Sequence, residues 1–173
     1  MAFSKKARNR SNTDRGRLFE RLVDQACLFY RNGGVAMIEK TPEPFRVVEK
    51  YDAGFFKGRF TGHAQPDYKG TLKGGRAIAF EAKMTGTDRI KKSVVTDFQT
   101  ACMNYHYHMG AYVGVVCMIK NTVAFVPWSD WLRMKELFGR QYILEKELLR
   151  YQVPTPGFVD FLRQSEGGAG DAG

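Results

Sequence analysis

The sequence predicts a mixed α/β domain, a central sheet flanked by helices, and three observations carry that expectation. Segments with the 3.6-residue helical period alternate along the chain with short β-branched or alternating runs. Their order is helix, two short strands, hairpin, helix, hairpin, helix, which leaves the strands to assemble into a mixed sheet with helices on its faces. A length of 173 residues, 43% hydrophobic and 26% charged with 13 Phe and 8 Tyr, suffices for one core without disulfide or metal staples.

Residues 1–12 lack an apolar period and read as a flexible basic arm; a single domain is expected over 13–163 and a disordered tail over 164–173. From Asp14 the pattern turns helical. Leu18, Leu22, Ala26 and Phe29 recur at spacings of four, four and three, Thr13 or Asp14 can cap the start, and Gly33-Gly34 ends the run. Residues 35–39 form a short strand, Thr41-Pro42-Glu43-Pro44 a rigid turn, and 45–49 the returning strand. Residues 51–63 mix Gly, aromatics and cations without a period and read as a protruding loop or hairpin. Residues 67–72 and 76–83 flank Lys73-Gly74-Gly75 as a β-hairpin, and 84–92 is a polar, basic loop. Residues 93–109 carry Val94, Phe98, Ala101 and Tyr105 at helical spacing until Gly110 stops them. Residues 111–119 and 122–126 make an apolar hairpin for the core. After Pro127, Ser129 caps a helix reaching Phe138, and a second helical stretch is expected near 142–151.

Charge narrows the function. Lys and Arg number 27 against 18 Asp and Glu, a net charge of +9 and a pI near 9.6. That balance favours a polyanionic partner, nucleic acid before membrane, because no long basic amphipathic helix with a bulky apolar face accompanies it. Within residues 1–21, Lys5, Lys6, Arg8, Arg10, Arg15, Arg17 and Arg21 outweigh Asp14 and Glu20 and supply five of the nine net charges. The longest apolar stretch, 111–119, is about half of a bilayer crossing, and the N-terminus has no apolar signal core. Cys27, Cys102 and Cys117 form no C-x-x-C pair. A soluble protein of the reduced cytoplasm is expected, with no membrane partner.

The chemistry concentrates in Gln65-Pro66-Asp67, thirteen intervening residues, then Glu81-Ala82-Lys83. On a strand Glu81 and Lys83 project together, sharing a face with the small Ala77 and Ala79, while Ile78, Phe80 and Ala82 face an apolar core. If 67–72 pairs with this strand, Asp67 reaches the Glu81 and Lys83 end. Two carboxylates with open positions suit Mg²⁺, a hard ion completed by water and phosphate oxygens. Lys83 then stabilises the extra negative charge of the transition state of phosphodiester hydrolysis or orients the nucleophile. A strand ending in E-x-K also occurs as a solvated edge; the basic balance and the apolar opposite face favour the nuclease.

The P-D…E-x-K arrangement resembles that of the restriction-endonuclease-like nuclease superfamily, and its surroundings resemble the RecU family of Holliday junction resolvases. The likeness rests on Arg15-Gly16 with Glu20, Lys40-Thr41-Pro42-Glu43-Pro44, Asp67-Tyr68-Lys69-Gly70, Gly75-Arg76, Phe80-Glu81-Ala82-Lys83 with Thr85, and Phe98-Gln99. These anchors run in order over about residues 15–126. The resemblance implies a restriction-endonuclease-like fold and a homodimer that resolves four-way DNA junctions by paired, Mg²⁺-dependent cuts, with Mn²⁺ as a substitute. It implies Asp67 and Glu81 as metal ligands, Lys83 as the transition-state stabiliser, and Gln99 as a further ligand or water-holding group. The family has a Thr two residues before the motif Asp, where this chain has Gln65 as the candidate ligand. It also has a protruding stalk, which falls on 45–63 and is short here, as suits a bacteriophage or mobile-element member. No residue names a recombinase or branch-migration partner.

Other groups fall around this site. Glu20 either supports the metal site or a Lys of it, or pairs on the surface with Arg17 or Arg21. Cys102 and His106, four apart with His108 nearby, hint at zinc, but no second ligand pair stands at a recognised spacing. No G-x-x-x-x-G-K-[ST] follows the Lys69-Gly70 and Lys73-Gly74-Gly75 segments. Phe55, Phe56 and Phe60, set among Lys57 and Arg59, suit stacking on splayed bases, against the alternative that they plug the core. Lys69, Arg89, Lys91 and Lys92 are further candidates for phosphate contact. The competing functions are a nuclease for ordinary duplex or branched DNA and a non-catalytic DNA-binding recombination factor.

Overall fold

A computed structural model describes residues 2–42, 45–60 and 65–163, giving the backbone alone for residues 2–12 and Phe60. The expected tail at 164–173 and part of the stalk, 61–64, lie outside the described residues. Helix α1 spans Ala2–Asn32, so helix extends through the segment read as an arm; Ala, Lys and Arg there favour helix even without an apolar period. Its buried face is Phe19, Val23, Ala26, Cys27 and Tyr30, whereas Leu18 and Phe29 are 53% and 54% exposed. The expected stripe through Leu18 and Phe29 is therefore rotated by about one residue. Both stripes satisfy the period, and the one carrying Phe19 and Tyr30 wins the core. A Schellman turn ends α1, with Val35 N–H donating to the Tyr30 carbonyl, Gly34 N–H to that of Arg31, and Gly34 at φ 63°.

The strands then follow as β1 (Ala36–Lys40), β2 (Phe45–Lys50), β3 (Phe56–Phe60), β4 (Tyr68–Leu72), β5 (Ala77–Thr85) and β6 (Arg89–Lys91). Helix α2 (Asp97–His108) precedes β7 (Tyr112–Ile119) and β8 (Thr122–Pro127). Helices α3 (Trp128–Leu132) and α4 (Met134–Phe138), strand β9 (Tyr142–Leu144) and helix α5 (Glu145–Leu148) complete the order. The central sheet runs β1-β4-β5-β7-β8. Only its β5/β7 pair is parallel, and the connection between them carries α2 across one face, as a parallel pair requires.

Several expectations change. Strand β2 does not return along β1; it pairs with β3 in a ribbon of its own, and β4 takes the place beside β1. The basic loop after β5 contains β6, which pairs with β9 and is pinned by buried Ile90 and Ile143. The stretch near 142–151 is thus a strand, one turn of α-helix and one of 3₁₀ helix. The ribbon falls within residues 45–63, where the stalk is expected. Every described residue from 45 to 59 is exposed, and the Phe45 ring lies over Gly58, where a Cβ would stand 2.0 Å from it.

Two cores sandwich the sheet. Against α1, Ile38, Tyr68, Ile78, Phe80, Val116 and Phe125 reach across the strands, closed over by Val153, Val159 and Phe161. On the other face Ala79, Val115, Cys117 and Val126 pack with Met103, Trp128, Trp131 and Met134. Among the described residues this second core takes nothing from β1 or β4. The carboxylates stand at the border between the covered and uncovered halves of that face.

Candidate active site

Glu81 is wholly buried (0% exposed) although its strand has an apolar core on either side. The period-2 alternation puts it on the α2 face with Ala79 and Lys83. Its Oε2 receives Lys83 Nζ at 2.6 Å and Gln99 Nε2 at 2.6 Å, while its Oε1 has no hydrogen-bond partner. Asp67 stands just before β4, and the pairing of Tyr68 with Phe80 carries it opposite Glu81. Its Oδ2 accepts the Ala82 amide at 3.0 Å and faces Lys83 Nζ at 3.3 Å. The expected convergence of two carboxylates and an ammonium is therefore the arrangement found. Burial raises the Glu81 carboxyl against the pull of Lys83, up to about 7. Burial pushes the Lys83 ammonium down, but Glu81 and Asp67 outweigh it and the net direction is upward.

Gln99 is held from behind. Its Oε1 accepts the Thr96 amide at 3.1 Å, and Thr96 Oγ1 accepts the Gln99 amide at 3.3 Å, a reciprocal cap at the start of α2. The cap commits the carbonyl oxygen and leaves Nε2 to donate to Glu81. In this geometry Gln99 positions a carboxylate through its donor. This cap starts the helix at Asp97 rather than at 93, where the sequence pattern places it.

The remaining candidates are spread over the fold. Arg89 and Lys91 line a cleft of about 590 Å³ beside Lys83, with Thr85 and Thr87; Arg89 also pairs with Asp88 and lies over the Tyr142 ring. Phe55 and Phe56, with Lys57 and Arg59, are exposed on the ribbon, at 73% and 55% for the two rings, so neither ring plugs the core. Other residues are engaged elsewhere: Glu20 binds Lys40 at 2.7 Å, Gln65 accepts Lys69 Nζ at 2.6 Å, Lys92 donates to the Leu132 carbonyl and Arg15 to that of Lys120. Glu20 thus pairs with Lys40 and with neither Arg17 nor Arg21, and Gln65 pairs with Lys69. Arg17 is exposed. The side chains of Lys5, Lys6, Arg8, Arg10 and Phe60 lie outside the described residues.

A family model described as Recombination protein U matches residues 14–160, which includes the whole of this site. The chain belongs to the RecU family. Among RecU relatives, a Holliday junction resolvase RecU of Bacillus pumilus is 30% identical over 170 residues, covering 90% of this chain and 82% of that one. One of Streptococcus sanguinis is 28% identical over 137 residues, covering 76% of this chain. The chain spans 64% of the length of that Streptococcus relative. Among solved structures, Hjc of Archaeoglobus fulgidus, a Holliday junction resolvase, is similar over 66% of this chain and 74% of its own, at 15% identity and a TM-score of 0.40.

Proposed function

We propose that this RecU chain is a divalent-metal-dependent endonuclease that resolves four-way DNA junctions as a homodimer, using Mg²⁺ with Mn²⁺ as a substitute. The observation that supports this most is the convergence of Asp67, Glu81 and Lys83 at the border of a buried strand. Glu81 Oε1, buried without a partner, fits a cation held with Asp67. Among the described residues no three His, Cys, Asp or Glu side chains gather as ligands, so a cation held by Asp67 and Glu81 would be completed largely by other oxygens, those of water and phosphate among them, as suits Mg²⁺. A cation held there supplies Lewis acidity to the scissile phosphate and neutralises developing charge.

The chain's own groups do the rest. Lys83, raised by both carboxylates, stays protonated and presents a fixed positive charge to the phosphate as it gains negative charge. Gln99 holds Glu81 in place, and its cap ties that position to α2. Arg89 and Lys91 hold the neighbouring phosphates along the cleft, and the ribbon's cations and rings face the open centre of the junction.

The test is cleavage of labelled four-way junction, linear duplex and single strand with Mg²⁺ or with EDTA. Paired cuts on the junction with Mg²⁺, none with EDTA, and binding without cutting by Asp67→Asn are expected. Equal cutting of all three DNAs would favour the ordinary nuclease. Binding with no cutting under either ion would favour the non-catalytic factor.

A further inference from the structure

Two side-chain oxygens among the described residues are buried without a hydrogen-bond partner, Glu81 Oε1 and Thr41 Oγ1. The strand registers set them in one row. Strands β1 and β4 pair Lys40 with Tyr68. The next step outward is closed by the Thr41 amide, which donates to the Asp67 carbonyl at 2.8 Å, so Thr41 stands opposite Asp67. On its other side Asp67 stands opposite Glu81, one step beyond the Tyr68 and Phe80 pair. Lys40 and Tyr68 both turn towards α1, where they meet Glu20 and Asp24. Side chains alternate along a strand, so Thr41 and Asp67 occupy the opposite face, the face of Glu81. Three oxygen-bearing side chains thus lie abreast on three adjacent strands, about 4.8 Å from one strand to the next, with Asp67 in the middle.

A buried hydroxyl with no partner is costly, and such an atom marks where an ion or ordered water belongs. Gln65 accepts from Lys69 Nζ and gives Thr41 Oγ1 no hydrogen bond. We propose that Thr41 Oγ1 is a third oxygen of the cation site, contributing from β1 to the shell of the hydrated divalent ion that Asp67 and Glu81 hold. The proposal rests on the metal-dependent reading above and adds to it a ligand-shell residue from the opposite side of Asp67.

The test is Mn²⁺ binding to the full chain without DNA, followed by electron paramagnetic resonance, together with thermal melts in EDTA. Thr41→Val keeps the branched shape before Pro42 and removes only the hydroxyl. It should bind Mn²⁺ about ten-fold more weakly, the lower end of what loss of a supporting group costs a metal site. In EDTA it should melt at or above wild type, since the unpaired hydroxyl is gone. Thr41→Ser, which keeps the hydroxyl and loses the methyl, should bind Mn²⁺ within about two-fold of wild type by the same reasoning; a mere packing role would reverse the two variants. If Thr41→Val binds like wild type while Asp67→Asn does not bind, Thr41 is no part of the site and the nuclease reading stands. If wild type takes up no Mn²⁺ at millimolar concentration, the inference and the metal-dependent reading fall together.

Discussion

Glu81 sits where a carboxylate is costly to ionise, and its neighbours decide how costly. Lys83 and Gln99 both serve Oε2, leaving Oε1 buried and bare. Its pKa is raised from the ordinary 4.5 to about 7, first by burial. A carboxyl raised on folding favours the folded state while it stays protonated and loses that contribution as pH climbs from the unfolded value through the folded one. Lys83, also raised, keeps its charge throughout this window. In EDTA, the stability of wild type relative to Glu81→Gln should therefore fall between about pH 4.5 and about pH 7, then level off. Parallel melts of the two proteins across that range check it; curves that run parallel would mean that Glu81 ionises as in water. On the same reasoning Glu81→Gln should bind junction DNA almost as wild type does and cut it at least about a hundred-fold more slowly, as loss of electrostatic support in an active site commonly costs.

At the scale of elements, the β2/β3 ribbon separates two kinds of contact. Phe45 and Phe56 meet edge to face at 5.5 Å, and the cross-strand pairs of Arg46 with Arg59 and Glu49 with Lys57 carry the charges. Phe55 and Phe56 lie outside both cores, so replacing both with Ala should leave the circular dichroism spectrum and duplex affinity unchanged. Preference for the junction over duplex should drop about five-fold or more, because each stacked base lost costs about 1 to 3 kcal/mol. An unchanged preference would move junction sensing to the spacing of the two clefts in a dimer. The period-2 face bearing Glu81 and Lys83 was legible in the sequence because it rests on local alternation, whereas the ribbon showed only as an aperiodic loop or hairpin over 51–63 and, through the family resemblance, as a stalk. Less was legible where the decision is non-local. No period distinguishes the Leu18 stripe from the Phe19 stripe of α1, or reveals that β1 pairs with β4 rather than with β2. Strand β6 rests on one buried residue, Ile90, too short a run to register. Thr41 gains meaning only once β1 lies beside Asp67, and the donor role of Gln99 only once its oxygen is seen to be held by the Thr96 amide.

For the whole molecule, net charge and symmetry have separate consequences. A charge of +9 would draw any DNA by releasing counterions, and such attraction alone cannot tell a junction arm from plain duplex. The proposed resolution needs more: two strands of like polarity must be cut at symmetric places, and each chain carries one Asp67, Glu81 and Lys83 set. A two-fold dimer supplies two sites through one self-complementary interface, with the symmetry of the junction itself. The consequence is testable with mixed dimers of one wild-type and one Asp67→Asn protomer, isolated through two different affinity tags. On a supercoiled plasmid extruding a cruciform, wild-type dimers should make paired cuts within one binding event and yield linear DNA. Mixed dimers keep both basic surfaces but one competent site, so they should bind equally well and yield nicked circles. Each cut relaxes the supercoil that holds the cruciform out, so a nicked product is not recut and the two outcomes stay distinct on a gel. Linear product from mixed dimers at the wild-type rate would mean that one site serves both strands, and the dimer would then be needed for binding alone.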